Sequence, residues 1–300
     1  ILAIEKAYKI SKDENLITNL VNLSKNISYE KLYHKYLNIY EQNHSNSIQL
    51  KYLKMELAID EMQFYYAQKL IIELLENGDN NLILFENLIF VCKKLNELDF
   101  AYHKLNLQYE FDSNNIIYPL LLGDIKYYQR LDNEALNWFK IALKLDKNNS
   151  NLRHRVANLS ESLFKYELSD SIFTKIIEDD STDASGLNNY AYSLCERPNP
   201  NLEFALELSQ KAIKLEPENA AFLDTIGWIY YRLGNYDLAL NYIFKSAKLD
   251  QKSEIILNHL AEVYLKLNNI NEALNIYLEI LDLNPKNQNA LEKLKELSHE

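Results

Sequence analysis

Residues 220–253 read AAFLDTIGWIYYRLGNYDLALNYIFKSAKLDQKS, and residues 254–287 read EIILNHLAEVYLKLNNINEALNIYLEILDLNPKN. The two segments align over 34 residues without a gap. Ile226-Gly227 falls on Leu260-Ala261, Tyr230 on Tyr264, Ala239 on Ala273, Ile243 on Tyr277 and Gln251 on Pro285. Self-similarity at a fixed period of roughly 20–50 residues marks a chain built from stacked supersecondary units. Gly227 and Gly234 therefore need a reading within that unit. A phosphate-binding glycine loop would need a strand before it, and the apolar pattern here is helical.

The same ruler runs back along the chain. Residues 184–219 carry Tyr190-Ala191, Ala205, Ala212 and Pro217, with two extra residues in the turn CERPNPNLE. Residues 150–183 carry Val156-Ala157, Ser169 and Phe173, and residues 116–149 carry Leu122-Gly123, Ala135, Phe139 and Ala142. Residues 82–115 keep Leu88, Ala101 and Leu105, residues 48–81 keep Ala67 and Ile71, and residues 14–47 keep Leu20 and Leu37. The chain thus reads as eight units, preceded at 1–13 by the second helix of a partial unit and closed at 288–300 by a capping helix.

Each unit is a helical hairpin that cannot bury its apolar stripe alone, so neighbours stack to complete the core. Gly123, Ala157, Ala191, Gly227 and Ala261 occupy the slot where the two helices of a hairpin approach most closely. Gly234 sits where a first helix ends and a left-handed residue closes it. Pro217 and Pro285 stop second helices. The slot holds Val21, Met55 and Ile89 in the first three units. Larger residues there are expected to spread the pair.

The bulk composition agrees. The chain has 300 residues, 47% hydrophobic and 25% charged, with only five glycines and five prolines. So few turn residues argue for helices joined by short turns. No apolar run is long enough to span a membrane. A net charge of −11 argues against a nucleic-acid backbone as partner. Cys92 and Cys195 are too far apart to make a disulfide framework or a zinc site, and read as small buried residues. The first residue is Ile, so a piece of a longer chain is expected, with any signal peptide or lipid anchor lying upstream.

A large apolar residue then a small one in the first helix, followed by Ala, an aromatic or aliphatic residue and Ala in the second, then Pro, resembles the tetratricopeptide (TPR) repeat. The resemblance implies an all-α, right-handed α-solenoid of about one superhelical turn that serves protein–protein interaction. The lengthened turn at 196–201, LDTIGWIYYRLG and EIILNHLAEVY resemble bacterial envelope TPR proteins, among them outer-membrane lipoproteins acting as adaptors. That implies a periplasmic or outer-membrane setting. The alternatives are a cytoplasmic scaffold of a multiprotein assembly, and the helical arm of an enzyme whose catalytic domain lies elsewhere.

Chemistry has no residues behind it in this sequence. There is no HExxH, Walker loop or G-x-S-x-G, and His34, His44, His103, His154, His259 and His299 are scattered. The acidic pairs Asp179-Asp180 and Asp60-Glu61 read as solvated helix ends. The Asn-x-Ser sequons at Asn26, Asn43, Asn148 and Asn158 are expected by chance in an asparagine-rich chain. No cofactor or metal is expected.

The TPR resemblance implies that positions 2, 5, 6, 9, 12 and 13 of each first helix line a concave groove. Those positions hold Tyr127 and Tyr128; His154, Arg155 and Asn158; Asn188, Asn189 and Tyr192; Asp224, Thr225, Trp228 and Tyr231; and Asn258, His259 and Glu262. The densest strip, and the candidate partner-binding site, is Arg155, Asn158, Asn188, Asn189, Tyr192, Asp224, Trp228 and Tyr231. Amides can pair with a partner's backbone, and Trp228 and Asn189 are expected to face solvent as an anchor and a hydrogen-bonding group. The carboxylate clamp of TPR chaperone co-factors is excluded. Asn158 and Asn189 match its asparagines, but Ala221 and Thr225 stand where its cations belong.

Overall fold

The computed structural model describes residues 1–26 and 30–297. Among them are eighteen helices and no strand. Contacts divide the chain into two compact units, 1–145 and 146–300. The first holds α1 (Leu2–Ser11), α2 (Glu14–Asn26), α3 (Glu30–Asn43), α4 (Ile48–Asp60), α5 (Phe64–Glu76), α6 (Leu82–Leu95), α7 (Leu98–Phe111), α8 (Ile117–Tyr128) and α9 (Asp132–Leu145). The second holds α10 (Ser150–Ser162), α11 (Tyr166–Asp179), α12 (Ala184–Glu196), α13 (Leu202–Leu215), α14 (Ala220–Arg232), α15 (Tyr236–Leu249), α16 (Glu254–Lys266), α17 (Ile270–Leu283) and α18 (Gln288–Leu297). His299 lies outside the described residues.

Within each unit every helix packs on the next, and first helices also pack on first helices, as α10 does on α12, α12 on α14 and α14 on α16. The core is carried by the small and apolar slots of the repeat. In residues 146–300 it runs from Ala157, Phe173 and Ala191 through Ala205 and Ala212 to Ala239, Ile243, Ala261, Ala273 and Tyr277. Cys92 and Cys195 are both free and buried, and burial pushes the Cys195 thiol up to about 12.

The close-approach slot behaves as sterics require. A Cβ on Gly227 would lie 2.5 Å from Ile243 Cγ1, 3.1 Å from its backbone nitrogen and 3.2 Å from the Ala239 carbonyl oxygen. A Cβ on Gly123 would run into the Phe139 ring. In the hairpins with Gly or Ala in this slot, the two helices approach over more of their length than in those with Val21, Met55 or Ile89. Met55 and Val21 are fully buried, so the larger side chain is accommodated by separating the helices rather than by turning outward.

The turn after five of the first helices has one geometry with different residues at its centre. Gly234 stands at φ +79°, its N–H donating to the Tyr231 carbonyl at 3.0 Å while Asn235 donates to Tyr230 at 2.9 Å. This is the paired bond pattern of a Schellman cap. Met62, Arg130, Phe164 and Asn268 repeat it with φ between 57° and 63°. An L side chain resists that conformation by roughly 1–2 kcal/mol, so packing on both sides of the turn imposes it. Asparagine does related work at helix starts. Asn81, Asn149, Asn201, Asn219 and Asn235 each accept a backbone N–H of the helix that follows. The asparagine content read as background is thus partly a set of N-caps.

α13 and α17 end at Leu215 and Leu283, two residues before Pro217 and Pro285. α15 ends in the same register, at Leu249, with Gln251 where the prolines stand. The prolines reinforce a stop that packing also sets.

Candidate functional site

The eight candidate residues lie on α10, α12 and α14 of residues 146–300, and the structure sorts them into two groups with three residues set apart or buried. Asn158, Asn189 and Tyr192 share an open groove of about 510 Å³, walled also by Glu161, Phe164, Tyr166, Glu196 and Arg197. Asn158 and Tyr192 are exposed and Asn189 is half-buried. Burial first, then the charges of Glu196 and Asp224, push the Tyr192 hydroxyl up to about 12, so it remains a donor at neutral pH.

The second group is a column of rings. Trp228 stacks on Tyr231 at 4.4 Å with 6° between planes, and on His259 of the next first helix at 4.0 Å and 14°. Tyr236 extends the column from Tyr231 at 5.6 Å. Both faces of Trp228 are therefore covered, and its indole N–H donates to Glu196 at 2.8 Å. The expectation that Trp228 faces solvent as a flat anchor does not hold. It joins α12, α14 and α16, and only part of its edge is free. The signal that could have found this is His259, which sits at the concave position directly after Trp228 in the stack.

Asp224 is buried, and its carboxylate holds the His259 ring through Nδ1 at 2.9–3.0 Å. It orients the column rather than facing a partner. Asn188 is buried, with its carbonyl oxygen lacking a hydrogen-bond partner, and offers no surface to a ligand. Arg155 is half-buried and lies outside the groove lining. Tyr231 is half-buried, its hydroxyl raised by burial and by Glu262.

Glu196 connects the two groups. Its Oε1 accepts from Trp228 and, at 3.1 Å, from Arg232, and it also lines the groove. Beside it stands Arg197, which the repeat register passed over because it belongs to the lengthened turn. Its guanidinium forks into Glu161 at 2.8 and 2.9 Å and into Asp170 at 2.7 and 3.1 Å, and lies 4.7 Å above the Tyr166 ring. Paired forks of this kind are strong and directional, and they raise the Arg197 pKa further. The clamp fixes the five residues between α12 and α13 against α10 and α11, and so builds one wall of the groove. Phe164 and Tyr166 form another. They meet edge to face at 6.2 Å, and Phe164 is 76% exposed while held at φ 57°.

The acidic pairs are accounted for by structure. Asp179 meets Arg153 at 2.6 Å and Lys175 at 2.8 Å, and Asp180 closes a turn onto Thr182. Asp60 lies 3.5 Å from Lys25. His154 bonds Asp183, which also caps α12. No cluster of metal-ligating side chains and no helix long and apolar enough to cross a membrane occurs among the described residues.

A family model described as anaphase-promoting complex, cyclosome, subunit 3 matches residues 180–280. No curated protein sequence matches the chain. Among solved structures, a tetratricopeptide repeat protein of Parabacteroides merdae is 15% identical, with a TM-score of 0.66 over 83% of this chain and 97% of that one. A TPR protein of Thermus thermophilus is 22% identical, with a TM-score of 0.55 over 62% of this chain and 100% of that one. Yeast Tom70 is 16% identical, with a TM-score of 0.54 over 99% of this chain and 83% of that one. Helical hairpins stacked first helix on first helix and matched by these structures give the chain the tetratricopeptide-repeat fold.

Proposed function

We propose that this chain is a non-catalytic scaffold or adaptor that binds an extended segment of a partner protein along the first-helix face of residues 146–300. The observation that carries the reading is the open groove of Asn158, Asn189 and Tyr192, with its exposed aromatic wall and its amides on successive first helices. Amides at that spacing suit a partner backbone, and aromatic rings supply contact area with few rotamers to freeze. The TPR fold generally serves scaffolding, in keeping with a site that presents aromatic rings, amides and carboxylates already paired with cations.

The partner is to be recovered by pull-down from native extract with mass spectrometry, then titrated against purified chain. Tyr192→Ala and Asn189→Ala should each weaken binding by about 1–3 kcal/mol. Lys248→Ala, on the exposed face of α15, should leave it intact. Trp228→Ala should weaken binding and also lower thermal stability, because the ring holds three helices together. Unchanged affinity in both groove variants, with loss on second-helix faces, would move the interface elsewhere.

The setting we propose is the bacterial envelope, on the resemblance of the 187–274 segment to envelope TPR adaptors. A second reading, a subunit of a large assembly, is favoured by the match of residues 180–280 to a subunit of a multi-subunit complex. Fractionation of native cells separates them: an envelope adaptor sediments with membranes, and an assembly subunit migrates as a large soluble complex.

A further inference from the structure

The groove has a chemistry of its own. Phe164, Tyr166 and Tyr192 present rings to it, and Glu196 presents a carboxylate whose position is set by the Trp228 indole. Glu196 is paired with the Arg232 guanidinium as well as the Trp228 indole, but both bonds fall on Oε1, so Oε2 is open on a side chain 41% exposed. Arg197 already shows what this place accepts: a guanidinium lies 4.7 Å over the Tyr166 ring while its N–H groups reach carboxylates. Its charge is spent on two carboxylates, Glu161 and Asp170, leaving that cluster negative. The surroundings share the sign. Residues 146–300 contain 16 Lys and Arg against 24 Asp and Glu, a net charge of −8 of the chain's −11. The field of Glu196 and Asp224 is felt at Tyr192, where both raise the hydroxyl pKa.

We propose that this groove seats a lysine or arginine side chain of the partner's extended segment, with the cation between the rings of Phe164 and Tyr192 and the open oxygen of Glu196. The proposal rests on the scaffold reading above and names the chemistry of its partner. Rings attract a cation through their negative faces, and a carboxylate fixed by a neighbouring indole is preorganised for it. An acidic segment would meet Glu161 and Glu196 with no unpaired cation in the groove lining to receive it.

The test uses the full chain and a displayed library of random twelve-residue peptides. Peptides selected on the wild-type chain are resynthesised and titrated against wild type, Tyr192→Ala and Glu196→Gln, with melting temperatures recorded for each. Glu196→Gln keeps an acceptor for the Trp228 indole and removes only the charge. The expected peptides carry a Lys or Arg whose replacement by Ala weakens binding at least tenfold. Glu196→Gln should weaken them several-fold and flatten their salt dependence. Peptides that lose binding to Tyr192→Ala but are neutral or acidic would overturn the cationic proposal and leave the groove reading standing. Peptides indifferent to Tyr192→Ala, or no enrichment at all, would remove the groove reading and the proposal together.

Discussion

Gly227→Ala tests the packing logic at its tightest point. A methyl placed there lies 2.5 Å from Ile243 Cγ1, about an ångström inside the distance of roughly 3.5–4.0 Å at which carbon contacts are favourable. Ile243 is fully buried and cannot swing into solvent. The Ala239 carbonyl and the Ile243 nitrogen at 3.2 and 3.1 Å are backbone and cannot give way without moving α15. Overpacking of this kind costs about 1–3 kcal/mol. Alanine returns about 0.5–1 kcal/mol, because Gly is the weaker helix former. The net expectation is a destabilisation of about 1 kcal/mol and at most about 2.5 kcal/mol, the central value being a fall of about 2–4 °C in the melting temperature of a unit this size. Gly227→Leu should cost more.

Circular dichroism melts and urea titrations of wild type and variant provide the measurement. Ile243→Ala alone should cost about 2–5 kcal/mol. Combined with Gly227→Ala it should cost less than the sum, because the clashing methylene is gone, though the two backbone contacts keep the rescue partial. A rise in stability for Gly227→Ala would show that helix propensity outweighs contact, and that the two helices stand further apart than the structure places them. Strict additivity in the double variant would show that Ile243 is not the obstacle.

Arg197→Lys keeps the charge and loses the two forks. It should cost about 1–2 kcal/mol of stability and weaken groove binding, read by melting and peptide titration; an unchanged melt would make the clamp incidental. Phe164→Gly relieves a left-handed residue and removes an exposed ring, so it should leave stability unchanged or raise it by up to about 1 kcal/mol while reducing partner affinity; equal affinity would take Phe164 out of the site. Tyr192 has a folded-state pKa of about 12 against 10.0 for the free side chain. Its raised value favours the neutral form in the fold, so its contribution is full below pH 10 and is lost as pH rises toward 12. Tyr192→Phe should therefore lose less stability than wild type across that alkaline window in melts taken at stepped pH, and parallel losses would refute the assignment.

How far the sequence was legible differs by residue. The 34-residue period and the small slots could be read because, where the two helices come closest, backbone approach leaves room only for Gly or Ala. Gly234 could be read as a cap for the same reason. Met62, Arg130 and Phe164 adopt the same turn and could not, because each resists the conformation that packing imposes on it. Arg197 was hidden by the two-residue insertion, which broke the register at the point where the clamp forms. Phe164 and Tyr166 were missed because they stand in a turn and on a second helix, outside the positions assigned to the concave face. Trp228 was placed correctly on its helix but not in its surroundings. Its stacking partner His259 lies 31 positions further along the chain, and side-chain stacking across helices leaves no mark in the period of either one.

The chain has two tryptophans, and they fall one in each compact unit. Trp138 meets Tyr102 and Tyr109 edge-on at 6.4 and 5.1 Å, while Trp228 lies between stacked rings. Intrinsic emission is thus a pair of built-in gauges in unlike optical surroundings. With Trp138 replaced by Phe, the remaining signal comes from the seam between α12, α14 and α16. The brightness of Trp228 therefore tracks the closure of the seam, and a partner segment settling beside Glu196 can be followed without attaching any dye.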